Sequence, residues 1–352
     1  MPTTDAASAT AQIVEPKTTS PEAQPSPDDA PAHAEALPRR RDDLPRLLTL
    51  PMNVSWKKVR WKTTFVIAGM HTLALLAISP WLFSWSGLAL AIFGVYIFGG
   101  LGINVCYHRL LTHRSFKTPR WFEKFLTMIA CCNLEGSPIS WVANHRMHHQ
   151  HSDDEPDPHS PVVAFLWSHV GWLLVENRNV NDEKVLSRYA RDLYKDPFYA
   201  RLEKGQRWLV VWAAHVALLF GAGFGVGMLS AGTADAGLQM GLSWIVWGVF
   251  MRTILVWHIT WSVNSLTHML GYRNYETEEG SRNNWLVAIF AFGEGWHNNH
   301  HADQNAAAHG HRWWEVDLTY STILLFKKLG LAWNIVPPRK SWDGRAGHHH
   351  HH

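Results

Sequence analysis

Cysteine is scarce: Cys106, Cys131 and Cys132 are the three in 352 residues. None stands in a C-x-x-C pair, and the odd, sparse count suits small apolar fillers kept reduced on a cytosolic side. With no C-x-x-C-H and no cysteine cluster, the chain carries no motif for attached haem or an iron–sulfur centre. A Gly-rich phosphate loop is also missing. Neither sign of charge dominates: 32 Lys and Arg against 29 Asp and Glu leave +3, which gives no reason to expect nucleic acid as a partner. The N-terminal region lacks the early apolar run of a signal peptide, and its acidic residues argue against a transit peptide. Residues 1–45 are rich in Ala, Pro, Ser, Thr and acids. They bury too little apolar surface to offset their ordering entropy, so a disordered tail is expected. His348 to His352 look like a purification tag.

Aromatics are abundant, with 20 tryptophans, a residue that favours membrane–water interfaces. The mean hydropathy of −0.14 hides strong segregation. Four charge-poor runs, 63–83, 88–106, 208–230 and 238–261, are each long enough to cross a ~30 Å hydrocarbon core at ~1.5 Å per residue. Arg252 interrupts the fourth; an intramembrane arginine normally has a buried partner. The loops 84–87 and 231–237 have no Lys or Arg. The N-terminal flank (Arg39, Arg40, Arg41, Arg46, Lys57, Lys58, Arg60, Lys62) and the polar segments 107–206 and 264–340 have many. Orientation by basic residues puts both termini and both polar segments in the cytosol. The expected fold is an all-α integral membrane protein: four transmembrane helices in two hairpins, with a cytosolic helical cap, the whole domain covering 46–340. Trp121 to Cys132 and Val162 to Val175 are too short to span and read as interfacial or packed helices.

The polar segments hold eight histidines in three groups: His108 and His113; His145, His148 and His149; His297, His300 and His301. In H-x-x-H-H, positions i, i+3 and i+4 share a helix face and aim two or three imidazoles at one point. His108 and His113 lie about 140° apart on an ideal helix, so they are expected to serve different metals, or the helix to break between them. Eight neutral imidazoles near one another suit two metal ions with room for a further ligand; nitrogen ligation alone leaves Zn, Cu, Fe and Ni open. The single histidines His71, His215 and His258 in the apolar runs read as structural, bonded to neighbouring helices. The acidic run Asp153, Asp154, Glu155 and Asp157 is either an outer partner of the ligand imidazoles or a solvated loop. Arg146, Lys184 and Arg188 either meet a CoA or phospholipid head group or form a solvated surface.

The text GINVCYHRLLTHRSF from Gly102, NHRMHHQHSDDEPDPHSP from Asn144, SHVGWLL from Ser168, TWSVNSLTHMLGYRNY from Thr260 and GEGWHNNHH from Gly293 together resemble the membrane fatty-acid desaturases, in particular the Δ9 acyl desaturases. The likeness covers about Leu101 to Trp333. It implies a ninth ligand, His268, and a metal-bound water held by Asn264. It also implies two irons, O2 as co-substrate, and removal of two hydrogens from adjacent methylenes of an acyl chain to give a cis double bond, most simply Δ9. A kinked apolar tunnel would fix the position, with Trp141 and Trp261 as candidate lining residues; the alternative is interfacial or core aromatics. After the third group the chain reads ADQNAAAHGHRWWEVD from Ala302, closer to bacterial and plant Δ9 enzymes than to the animal acyl-CoA branch, so acyl-CoA and acyl-lipid both stand. The implied electron donor is a separate ferredoxin- or cytochrome-type protein, docked on basic cytosolic surface. A diiron lipid hydroxylase would keep the same metal site and histidine spacing while hydroxylating the lipid instead. A metal transporter needs polar groups along the spans, and the histidines lie outside them; a scaffold with structural zinc needs fewer ligands.

Overall fold

The computed structural model describes residues 54–153, 157–160, 163–177 and 182–339. The expected tail, the basic residues Arg39 to Arg46, Asp154, Glu155 and the terminal histidines lie outside them. Helices dominate, and four are long and apolar enough to cross a membrane: Trp61–Ile78, Trp85–Thr112, Trp208–Ala231 and Ala234–Met269. The first begins as α1 (Trp61–Ala74), after a strand β1 (Val54–Val59). The second, α2, starts at Trp85–Gly94, where Ser84 caps it by accepting from Gly87 N, and continues as a π-helix over Val95–Thr112. It therefore runs beyond the apolar run that ends at 106. The extra turns carry His108 out of the apolar segment into the polar cap.

Next come α3 (Arg120–Cys131), α4 (Pro138–His151), a π turn at Trp167–Gly171 leading into α5 (Trp172–Leu174), and β2 (Val175–Asn177), antiparallel to β1. Helix α3 is amphipathic: Phe122, Leu126 and Ala130 face the core while Trp121, Phe125 and Met128 are exposed, as an interfacial helix requires. Short helices α6 (Glu183–Tyr189), α7 (Arg191–Tyr194) and α8 (Pro197–Glu203) lead to α9 (Trp208–Ala231). Gly232 closes α9 in the left-handed region at φ 71°, and Thr233 caps α10 (Ala234–Ile245). The two helices pack through small residues. A Cβ on Gly227 would collide with the Ala236 carbonyl. A π turn, Val246–Met251, joins α10 to α11 (Arg252–Met269), again longer than the apolar run ending at 261, because its last turns present His268. Then α12 (Trp285–Phe290), α13 (His297–Ala302) and α14 (Leu318–Lys328) follow.

The main core gathers Ile103, Cys106, Tyr107, Leu126, Ile139, Val142 and Ile323 from α2, α3, α4 and α14. All three cysteines are buried and unpaired, as expected of fillers. Arg252 is fully buried; its Nη1 donates to Cys132 O and Asn133 Oδ1, its Nε to Gly248 O, and its guanidinium lies 4.0 Å from the Phe98 ring centre. The partner is thus backbone, amide and ring rather than a carboxylate. His215, on α9, packs edge-on against the same Phe98 ring.

Candidate metal centre

Two groups of imidazoles form where α2, α4, α11 and α13 meet. His108, His113, His145, His149 and His300 make one; His148, His268, His297 and His301 make the other. Within each, the facing ligand atoms lie within 4.8 Å of one another. All nine histidines expected from the sequence are present, and their division corrects one expectation. His108 and His113 belong to the same group. The π-helix explains it: its i→i+5 backbone bonding, seen in His113 N to His108 O at 3.1 Å, brings residues five apart onto one face. Each H-x-x-H-H aims two of its three imidazoles at one point, within the two or three expected. His145 and His149, at i and i+4, enter the first group while His148 turns to the second. His297 and His301 enter the second while His300 turns back to the first.

The geometry fits cations. His108 Nε2 lies 3.1 Å from His300 Nε2, His300 Nε2 2.9 Å from His149 Nε2, His149 Nε2 3.0 Å from His145 Nε2, and His297 Nε2 3.0 Å from His268 Nε2. Two nitrogens each about 2.1 Å from one ion and at right angles stand about 3.0 Å apart, the edge of a coordination polyhedron. His113 Nε2, His148 Nε2 and His301 Nε2 are buried without a partner, a costly state unless a ligand takes the lone pair. Burial, then the neighbouring imidazoles, hold His113, His145, His149, His297, His300 and His301 well below the ordinary histidine range. Neutral imidazoles are what a metal requires.

Carboxylates stand behind the rings. Glu294 Oε2 is 2.7 Å from His108 Nδ1, Asp157 Oδ2 3.0 Å from His148 Nδ1, and Asp153 Oδ2 3.1 Å from His268 Nδ1. Each fixes the proton on Nδ1 and turns the Nε2 lone pair inward. The acidic run after His149 is therefore an outer shell at Asp153 and Asp157. Burial raises the Glu294 carboxyl, but Arg109, His309 and His108 outweigh it and hold it well below the usual range. Arg109, completely buried, donates from Nε and Nη2 to Glu294 and from Nη1 and Nη2 to Asp317. Gly293, at φ 111°, lets the chain pass against Asp317 where a Cβ would meet its carboxylate. Glu294, Glu279 (3.6 Å from His301 Nδ1), Arg109 and His309 escaped the sequence reading. Three had a signal: Glu294 lies inside the GEGW text, Arg109 inside the text from Gly102 and His309 inside the text from Ala302.

Asn264 sits one turn before His268 on α11 and is half-buried. Trp141 stacks on His145 with ring centres 5.0 Å apart, and Trp261 is 4% exposed. Arg146 is no loose surface cation: it donates to the carbonyls of Leu111, Thr112 and Tyr189 and pairs with Asp192, clamping α4 to α2 and α6. Arg188 and Lys184 are exposed. Glu135 accepts from Trp141 Nε1 and Thr260 Oγ1, and burial pushes its carboxyl up to about 8. A raised carboxyl favours the fold in full below about 4.3, and that contribution is spent once pH passes about 8. Glu135→Gln should flatten this part of the stability–pH curve. Thermal melts of the detergent-solubilised protein from pH 5 to 9 check it; parallel curves for the two proteins defeat the assignment.

Residues 79–323 match a family model described as fatty acid desaturase. The chain is 44% identical over 278 residues to the sn-1 stearoyl-lipid 9-desaturase of Anabaena variabilis, covering 79% of this chain and 94% of that protein. It is 40% identical to the sn-2 palmitoyl-lipid 9-desaturase of Nostoc sp. (strain 36), covering 82% and 94%. The acyl-CoA 5-desaturase AL21 of Anemone leveillei is 37% identical, covering 81% and 83%.

Proposed function

Because the chain belongs to the fatty acid desaturase family, we propose that it inserts a cis Δ9 double bond into a saturated fatty acyl chain carried on a membrane lipid. The observation that carries this reading is the division of nine imidazoles into groups of five and four, backed by carboxylates. The acyl-lipid carrier follows the names of the Anabaena and Nostoc relatives, which are stearoyl-lipid and palmitoyl-lipid 9-desaturases. Iron at both groups would supply O2-dependent oxidation of unactivated C–H bonds. Two hydrogens leave adjacent methylenes and, with two electrons and two protons from outside, O2 becomes two waters.

The residues divide the work. His108, His113, His145, His149 and His300 hold one ion; His148, His268, His297 and His301 hold the other, with Asn264 offering its amide to a water beside it. Glu294, Asp157 and Asp153 keep the imidazoles in the ligating tautomer. Trp141 and Trp261 line the path of the acyl chain, an apolar wall that excludes water and fixes which carbons face the ions. The four spans form two hairpins, with both termini and the metal centre on the cytosolic side. Electrons arrive from a ferredoxin- or cytochrome-type protein. An open groove at His113, lined by Arg114, Arg188, Arg191 and Lys195, offers an acidic donor a docking surface. Raising ionic strength should increase the donor's KM while leaving that of the lipid alone; a donor KM independent of salt excludes this groove.

Gas chromatography–mass spectrometry of fatty acids from a desaturase-lacking host with a competent donor tests the reaction. A new monoene, absent with His297→Ala, is the expected result. A hydroxylated product would keep the metal centre and replace the reaction.

A further inference from the structure

The two imidazole groups are backed by unlike sets of charge. Behind the four-histidine group stand three carboxylates: Asp157 at His148 Nδ1 (3.0 Å), Asp153 at His268 Nδ1 (3.1 Å), and Glu279 between His301 Nδ1 (3.6 Å) and His268 Nδ1 (3.8 Å). The other donors to these carboxylates are neutral. Asp157 accepts from the amides of Asp153 and His159, Asp153 from Gly280 N and Ser160 Oγ, and Glu279 from Ser281 N and Oγ. Arg273 and Arg282, in the loop that carries Glu279, bind the carbonyls of Glu279 and Gly271 instead. Helix α13 itself fastens that loop. Asn298 Oδ1 accepts from the amides of Asn274 and Tyr275, and its Nδ2 donates to the Tyr275 carbonyl.

Behind the five-histidine group the charges cancel. Glu294, at His108 Nδ1, and Asp317 share the Arg109 guanidinium. Arg146 donates to the Leu111 and Thr112 carbonyls, directly before His113, and shares Asp192 with Arg114. Glu294, Asp317 and Asp192 thus meet Arg109, Arg146 and Arg114. Further basic side chains, Arg188, Arg191 and Lys195, line the groove that opens at His113. A ferric ion carries one more positive charge than a ferrous one. Uncompensated carboxylates therefore hold an ion oxidised, and nearby cations ease its reduction. At an effective dielectric constant of ~20, one charge a few ångströms away is already worth more than about tenfold in such an equilibrium.

We propose that Asp153, Asp157 and Glu279 keep the ion of the four-histidine group ferric, so that the donor's first electron goes to the ion of the five-histidine group, beside the groove. This rests on the reading of both groups as iron sites. In the first step the donor loses one electron and one ferric ion becomes ferrous; a second electron then reduces the other ion. Position and charge agree, because the ion that His113 holds is both the one at the basic groove and the one easier to reduce.

Mössbauer spectroscopy of the full-length protein, loaded with isotopically enriched iron, reads the order of reduction. Dithionite sufficient for one electron per chain is oxidised to sulfite as one of the two ferric ions is reduced. His148→Ala and His149→Ala, each left with one ion, supply reference spectra for the five- and four-histidine groups. In the half-reduced protein the ferrous signal should favour the five-histidine group by more than about tenfold. Glu279→Gln should cut that ratio several-fold, and Asp157→Asn should do the same, which keeps the test open if one of them fails to fold. Glu294→Gln leaves Arg109 with a single carboxylate and should move the ratio the opposite way. Opposite signs report charge, since loosened packing would not distinguish the two groups in this manner. An even division, a ferrous signal in the four-histidine group, or a ratio unchanged in both Glu279→Gln and Asp157→Asn overturns the proposal. Fewer than two irons per unaltered chain would overturn the diiron reading itself, and this proposal with it.

Discussion

Alanine at His148 and alanine at His149 are expected to remove different ions, although the residues are adjacent. His149 faces His300 and His145, while His148 faces the group of His268, His297 and His301. Each single variant should lower bound iron from about two ions per chain to about one. The pairs then discriminate. His149→Ala with His300→Ala strips one group twice and should leave about one ion; His148→Ala with His149→Ala should leave almost none. This pattern is non-additive by site, as coupled residues require. Turnover should fall more than about 100-fold in every variant, since loss of an outer carboxylate partner alone commonly costs 10–100-fold. Metal analysis of purified protein checks the counts. Equal iron in the two double variants would show that the two imidazole groups do not hold separate ions.

That division was only partly legible in the sequence. Repetition of H-x-x-H-H announced the metal chemistry, because residue type and short-range periodicity are local. The assignment to ions was not, because it depends on winding. His108 and His113 fall on different faces of an α-helix and on one face of the π-helix that forms here. The four apolar runs were visible, yet their helices outrun them, since α2 and α11 keep their backbone bonding after the lipid-facing composition ends. The remaining losses are long-range. Glu294 reaches His108 across 186 positions in the chain, and Arg109 reaches Asp317 across 208. No local pattern reports such pairs. The same holds for His71 and His258, which read singly as structural and are paired only because α1 and α11 pack together.

Arg109→Met should be the most destabilising single change outside the ligand set. Its guanidinium is fully buried and supplies four hydrogen bonds to two buried carboxylates and one to Ala307 O. Methionine fills much of the volume but leaves Glu294 and Asp317 without their cation. Stranding a buried charge in this way costs about 3–5 kcal/mol, whereas replacing a whole ion-pair set by neutral groups is often nearly free. Adding Glu294→Gln and Asp317→Asn to Arg109→Met should therefore restore part of the melting temperature, although more residues have changed. The triple variant should still bind iron less tightly by 10–100-fold, an order-of-magnitude expectation, because a glutamine cannot orient His108 as the Glu294 carboxylate does. Thermal melts with and without chelator separate the two effects. If the triple variant melts no higher than Arg109→Met, the penalty comes from lost packing rather than from unpaired charge, and Arg109 serves the core rather than the carboxylates behind the metal centre.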